Sequence, residues 1–485
     1  MQRRWARPER RSDGELDSIR KGRDMKLTFA GAAQTVTGSQ TLFEHRGFAG
    51  LVDCGLYQGP KPLRLLNWTK PDFYDRVRAI LLSHAHIDHS GLLPRWASWG
   101  YKGPVYCTKP TADLLEVMLR DAARLQEEDA RYANRSRHSQ HDPALPLYTT
   151  EDAEAILKRV VAVELGQWQE LSPNLSFRFL RAGHILGSAV IQLAAKTESG
   201  SRLVTFSGDL GGGRSELLRD PDPVLETDAL VLESTYGNRK IVSEGREDRL
   251  AAVVNKVHAR QGTLVLPAFA LGRTQDLLLS LFRLWRDGKI PEVPVYLDSP
   301  MATEVTEIYA KHRREFWPDE RGDEILHALK SGWFKVIESP DDSMFLCTSP
   351  EPKIVISASG MLQGGRVLHH LKQALPKKQN AVLFVGFQGA QTKGRLLLDG
   401  LLSLRIHHQE IPVEAEVLYL DGFSAHADQG DLLDWVRRFH RKPQQILLNH
   451  GEIEGMQIFA QLIEQEFKVR PELPKLNEQV MIQGT

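Results

Sequence analysis

Directly after the apolar run AILLS the chain reads HAHIDH over residues 84 to 89, three histidines and one aspartate in six positions. His84 and His86 stand at i and i+2, so at the end of an extended segment their side chains share a face. Asp88 and His89 follow where a loop enters a predicted helix. Two neighbouring pairs result, one His/His and one Asp/His, and imidazole with carboxylate is a donor set that suits zinc. Capping or surface histidines are the plainer alternative, but this spacing is far more specific than a lone histidine. Four donors do not complete two metal sites. Further candidates close strand-like runs elsewhere: His184 in RAGHILGSA, Asp209 in FSGDLGG and His450 in LLNHGE. Alone, His184 or Asp209 reads as a turn residue; beside HAHIDH each reads as a ligand. A carboxylate such as Asp209 can also bridge two cations.

The elements that must position these residues are short β-branched or apolar runs: VRAILLS, LSFRFLRAGH, RLVTFSGD, ALVLEST, GTLVLPAF, PVYLDSP, KIVISASG, AVLFVGF, AEVLYLDG and QQILLNHG. They read as buried strands with polar residues at their C-terminal ends, as layered α/β proteins carry them. From Met25 to about Glu233 the predicted strands follow closely, often joined by turns rather than long helices. From about Gly237 to Pro412 they alternate with helical segments such as LGRTQDLLLSLFRLWRDG and LQGGRVLHHLKQAL, a parallel α/β texture. From about Val413 strands resume, ending in AHAD and NHGE, before an amphipathic helix, EGMQIFAQLIEQEF. The expected organisation is a disordered basic tail at 1–24 and one domain built from 25–236 and 413–485, interrupted by a second at 237–412.

Composition narrows the function classes. The 485 residues are 41% hydrophobic and 26% charged, with Lys+Arg equal to Asp+Glu at 62 each, so any polyanion-binding surface must be a local patch. No apolar run is long enough for a membrane span, and the arginine-rich start lacks an apolar signal-peptide core. Cys54, Cys107 and Cys347 form no CxxC pair, which argues against a disulfide framework and fits a reducing cytoplasm. Charged stretches at 126–141 and 311–314 read as solvated helix faces or loops.

The series DCG at Asp53, HAHIDH, AGHILGS, SGDL, LEST, SAHAD and NHGE, in that order, resembles the metallo-β-lactamase fold in its β-CASP branch of nucleic-acid-processing nucleases. It is similar to the bacterial relatives of the cleavage and polyadenylation endonuclease. The resemblance runs from about Met25 to the C-terminus and implies an αββα sandwich with an inserted parallel α/β cap. It implies two Zn2+ ions, one on His84, His86 and His184, the second on Asp88, His89 and His450, with Asp209 bridging. Asp53 would orient a ligand histidine; a turn aspartate before Gly55 is the alternative. Glu233 and His426 match the motifs in which an acidic residue orients a histidine, and such a histidine can protonate a departing alkoxide.

The activity so implied is hydrolysis of single-stranded RNA to 5′-phosphate and 3′-hydroxyl ends. RNA is favoured over DNA because RNA-cleaving branches of the family carry histidine at the position of His450. Three glycine-rich elements are candidates for holding backbone phosphates: 356–366 with Ser359, Gly360 and Arg366; 386–395 with Lys393 and Arg395; and 267–275 with Arg273. The competing readings are a hydrolase of a small ester or thioester on the same fold and a non-catalytic RNA-processing scaffold. The chain ends 35 residues after His450, so the additional C-terminal domain of the bacterial exonuclease relatives is not expected, nor is a separate N-terminal RNA-binding module. A minimal endonuclease is therefore the expectation, acting on RNA without a membrane, with a homodimer left open.

Overall fold

Alternation along LSFRFLR puts Leu175, Phe177 and Phe179 on one face of a strand, and all three are buried between two stacked sheets. The computed structural model describes residues 25–136, 142–198, 200–317, 321–386, 388–389 and 392–482; the basic tail expected at 1–24 lies outside them. Among these residues the first sheet contains β1 (Lys26–Phe29), β2 (Thr41–His45), β3 (Phe48–Val52), β4 (Val77–Leu81), β5 (Val105–Thr108) and β6 (Val160–Val163). The second contains β7 (Gln169–Ser172), β8 (Leu175–Arg181), β9 (Ala189–Thr197), β10 (Gly200–Phe206) and β11 (Ala229–Glu233). A third sheet, the cap, is built from β12 (Thr263–Pro267), β13 (Val295–Leu297), β14 (Phe334–Val336), β15 (Lys353–Ser357) and β16 (Ala381–Phe384). The chain continues through a hairpin of β17 (Ser403–Ile406) and β18 (Gln409–Pro412) and through β19 (Glu416–Tyr419). It then returns with β20 (Gln445–Asn449) beside β11 and β21 (Glu478–Met481) beside β1.

The sandwich has three apolar layers. Leu27, Phe29, Ile191, Leu193 and Phe206 fill the space between the sheets. The helix Lys109–Ser136 covers the outer face of the first sheet through Leu114, Leu115 and Leu119. The helices Gln429–Arg437 and Ile453–Phe467 cover the second through Leu432, Trp435, Met456 and Phe459. In the cap every strand pairing is parallel, in the order β14-β13-β15-β12-β16-β19. Helices bury both cap faces, so β15 (KIVIS) is apolar almost throughout and buried at every position.

Three expectations need correction. The first half of the sandwich is not joined by turns alone: β3 to β6 run parallel, and parallel neighbours require crossovers, here including the 28-residue helix Lys109–Ser136. The expected helix after KIVISASG starts only at Val367, because the preceding Gly365 holds φ +84°, outside the helical region. Finally, β19 lies beyond residue 412 yet pairs with β16, so its run AEVLY closes the cap sheet and not the sandwich. No helix among the described residues is long and apolar enough to cross a membrane.

Candidate metal centre

β4 delivers the HAHIDH segment at its C-terminal end, and the one-turn helix Ile87–Ser90 carries Asp88 and His89. The DCG segment pins this turn: Cys54 N donates to His89 O at 2.7 Å and Ser39 N to Asp88 O at 2.8 Å. A Cβ on Gly55 would sit 1.7 Å from Asp88 O, so the approach of the two backbones requires glycine there. Asp53, buried and at φ +60°, accepts from Ser83 N at 2.8 Å and from the Ser39 hydroxyl at 3.1 Å. Its remaining contact is His89 Nδ1 at 2.7 Å. His184 arrives from the turn after β8, where the Ser188 hydroxyl accepts its backbone N–H at 3.0 Å. Asp209 follows β10, and His450 follows β20 in a left-handed conformation with its N–H on Ala32 O.

These donors converge in two groups. His84 Nε2 and His184 Nε2 lie 3.1 and 3.2 Å from His86 Nδ1, and both lie within 3.7 Å of Asp209 Oδ2. His89 Nε2 lies 3.1 Å from His450 Nε2, which is 3.5 Å from Asp88 Oδ2. Asp209 Oδ1 faces His89 Nε2 at 3.3 Å and His450 Nδ1 at 3.4 Å. Each oxygen of Asp209 thus faces a different group, and Asp209 Oδ1 is buried without a hydrogen-bond donor. Donors ~2.0–2.1 Å from a tetrahedral zinc lie ~3.3 Å apart, which is the spacing of these ring nitrogens. Imidazole nitrogens facing one another over a buried carboxylate are a donor set that a divalent cation fits.

Charge in the cluster follows from burial. Desolvation, with the neighbouring imidazoles, drives His84 and His184 well below the usual histidine range, and His86 is pushed down to about 4. Burial opposes the charge on His89 too, but the carboxylates of Asp209 and Asp53 outweigh it and raise the ring well above that range. Asp209 and Asp88 stay below the carboxylate range despite burial, because imidazoles surround them. His426 Nδ1 stands 3.5 Å from Glu233 Oε2 and 3.8 Å from Asp209 Oδ2. These two carboxylates raise it against the desolvation that would lower it. Glu233 is fixed in turn by Leu210 N, which donates to Oε1 at 2.7 Å.

Three family models match the chain: a metallo-beta-lactamase superfamily domain over residues 42–204, a Beta-Casp domain over 274–397 and a Zn-dependent metallo-hydrolase RNA specificity domain over 410–474. Ribonuclease TTHA0252 of Thermus thermophilus is 35% identical over 448 residues, covering 90% of this chain and 96% of that protein. The chain belongs to the β-CASP family of the metallo-β-lactamase superfamily. Transcription termination factor FttA is similar too, at 31% identity in Methanocaldococcus jannaschii and 30% in Cenarchaeum symbiosum. Those matches cover 93% and 95% of this chain and 70% and 71% of the respective relatives. A crystal structure of a protein of unknown function from Enterococcus faecalis V583 shares the fold at a TM-score of 0.54 and 14% identity, covering 94% of this chain and all of that one.

The β-CASP cap packs against the turn that carries His184. Gly272, after β12, packs so closely on Ile185 that a Cβ would lie 3.0 Å from it, and the Tyr309 hydroxyl accepts from Leu186 N at 3.2 Å. Ser359 and Gly360 sit at the end of β15, with Gly360 against Phe269 and its carbonyl accepting from Gln388 Nε2 at 3.0 Å. The expected phosphate-binding cations are divided in their commitments. Arg273 is buried and donates to Val385 O. Arg366 donates to Asp298 Oδ1, Ile337 O and Glu338 O at 2.8 to 2.9 Å. Both therefore hold the cap loops together. Arg395 pairs with Asp399 at the surface, while Lys393 is half-buried and has no carboxylate partner among the described residues.

Several residues that touch the candidate ligands and His426 escaped the sequence reading. The Ser83 hydroxyl lies 3.0 Å from His84 Nδ1, and the Thr235 hydroxyl 3.1 Å from His450 Nδ1. Tyr236 stands edge-on to His426 with ring centroids 5.7 Å apart. A hydroxyl directly before HAHIDH, and another two residues after Glu233, were the available signals. Metal-ligating rings usually present their second nitrogen to such a partner.

Proposed function

We propose that this β-CASP chain is a ribonuclease with two zinc ions that hydrolyses phosphodiester bonds within single-stranded RNA, in the cytoplasm. The observation that carries the reading is the His426–Glu233 pair, 3.5 Å apart, at the edge of the donor cluster under the cap. A hydrolase of small esters on the same sandwich has no use for a held imidazole there or for a cap. Further support comes from the RNA specificity domain match and from the ribonuclease relative. Three buried free cysteines suit a reducing compartment.

In this reading His84, His86 and His184 would hold one zinc and Asp88, His89 and His450 the other, with Asp209 available to both groups. Bound zinc supplies a water acidic enough to attack near neutral pH, and positive charge for the phosphoryl oxygens. The protein's own part is proton transfer and orientation. Attack by water oxygen breaks the bond from phosphorus to the ribose 3′-oxygen, and His426 gives its proton to that departing oxygen. Glu233, whose Oε2 lies 3.5 Å from His426 Nδ1, favours the protonated ring that this transfer requires. Asp53 fixes the ring of His89 by its Nδ1 and leaves Nε2 for the metal. The products carry 5′-phosphate and 3′-hydroxyl ends.

The test uses single-stranded RNA and DNA labelled at either end, with wild type, Asp209→Ala and His426→Ala, in the presence of zinc. Wild type is expected to cleave RNA internally. Asp209→Ala is expected to lose both activity and bound zinc. His426→Ala should keep its zinc and lose about 10²- to 10⁴-fold in rate. A wild type that cleaves neither substrate sinks the activity; full activity in both variants sinks the residue assignment.

A further inference from the structure

A second cationic feature lies on the cap, away from the donor cluster. The hairpin between β17 and β18 turns at His407 and His408, both left-handed with φ of +46° and +65°. A two-residue hairpin turn with both φ positive is the place for Asn-Gly, and bulky side chains are strained there. The His407 ring packs on that of His369, in the helix Val367–Ala374, with centroids 4.6 Å apart. Lys372, one turn further along that helix, and Lys393, at the start of the helix Lys393–Leu398, both repel a proton on His407. Neither lysine has a carboxylate partner among the described residues. The acids nearest in sequence are engaged elsewhere, Glu410 with Ser403 and Asp399 with Arg395.

We infer that His369, Lys372 and His407 form an auxiliary binding site for single-stranded nucleic acid, on which a strand leaving the metal cleft lays a base and its phosphates. Position supports the route. The helix bearing His369 and Lys372 follows the 359–366 loop, and Lys393 follows Gln388, whose side chain holds Gly360 at the cleft rim. Chemistry supports the ligand. Burial first, with Lys372 beside both rings, holds His369 and His407 below their usual range, and the packed rings present uncharged faces for stacking. The two ammonium groups beside them match phosphates spaced along a strand. Net charge is zero over the whole chain, so a strand has no global attraction to follow, and unpaired lysines must act locally. This site rests on the ribonuclease reading and adds to it a length dependence that the metal centre alone does not produce.

The test is equilibrium binding of fluorescent oligouridylate to zinc-loaded protein, with His426→Ala in the wild-type and variant backgrounds alike so that cutting is slow, using strands of about 5 and about 20 nucleotides. The pair His407→Asn with His408→Gly restores the favoured turn sequence while removing both imidazoles, so the fold is retained; thermal melting checks this. That variant is expected to bind the long strand about tenfold more weakly and the short one unchanged. Lys372→Gln is expected to lower the slope of log affinity against log salt by about 0.7 for the long strand only. Unchanged binding of the long strand in both variants overturns the site and leaves the ribonuclease reading standing. Equal weakening for both lengths overturns it too, since the residues then belong to the cleft itself. A wild type that binds neither strand overturns the ribonuclease reading and this site with it.

Discussion

Asp53 in the sandwich and Asp298 in the cap are built alike. Each is a buried aspartate just past the end of a strand, each accepts a serine hydroxyl (Ser39 or Ser343), and each grips one histidine ring, His89 at 2.7 Å or His370 at 2.6 Å. What differs is the ring's other nitrogen. His89 Nε2 faces His450 and Asp209 in the donor cluster, whereas His370 Nδ1 meets the Cys347 thiol at 3.3 Å inside the cap core. Burial pushes that thiol up to about 12, so it is an inert packing group. An aspartate–histidine pair is therefore only a means of fixing a ring, and its meaning comes from what the ring is aimed at. Asp298 also binds Arg366, which ties the 359–366 loop to Ile337 and Glu338 and so shapes the rim of the cleft.

Breaking both pairs should separate their roles. Asp298→Ala leaves Arg366 and His370 without their shared carboxylate in the cap interior, and loss of one partner of a buried ion pair costs about 3–5 kcal/mol. Denaturant unfolding should show that loss, with zinc content unchanged under native conditions. Asp53→Ala is the smaller lesion for the fold and the sharper one for the site. It frees the His89 ring and should weaken zinc binding about 10- to 100-fold, at the Asp88, His89 and His450 group only. Competition with a chromophoric chelator would register one weakened ion per chain. Equal loss of both ions, or zinc loss in Asp298→Ala, would show that the two aspartates do not differ as their surroundings indicate.

The same contrast explains what was legible in the sequence. HAHIDH concentrates four donors in six residues, and strand-end residues such as His184, Asp209 and His450 stood out against apolar runs. The ten strand-like runs are all strands here, most of them buried along much of their length, and burial leaves a dense apolar signature. Connectivity was less visible. The crossover helix Lys109–Ser136 is so rich in charge that its buried stripe of Leu114, Leu115 and Met118 hides among polar neighbours. β19 reads like any returning strand, and only pairing with β16 assigns it to the cap. Ser83 and Thr235 act through single hydroxyls, which have no pattern of their own. Asp298 in DSPM carried no neighbouring ligand type, since His370 and Arg366 reach it from 68 to 72 residues away.

A third aspartate, at the boundary between the two regions, gives the smallest effect and the finest test. Asp113 on the sandwich helix Lys109–Ser136 accepts from Lys109 on its own helix, and from Lys311 and His312 at the end of the cap helix Pro300–Lys311. Burial of Asp113 opposes its charge, but these three partners outweigh it and hold the carboxyl below its usual range. A carboxylate so depressed stabilises the folded state fully above its unfolded pKa, near 4, and the contribution is lost as pH falls toward the folded value. Zinc-free protein should therefore lose stability below about pH 4 more steeply than Asp113→Asn does. Both lysines are largely solvated, so the difference above that pH should be only about 1 kcal/mol. If cap and sandwich separate in acid, fluorescence of Trp317, next to the boundary, should change before far-ultraviolet circular dichroism in wild type. In Asp113→Asn that early change should depend less steeply on pH, because the titrating carboxylate is gone. Coincident transitions in both proteins would mean that the apolar contacts of Tyr309 and Phe316, and not this ion cluster, hold the cap in place.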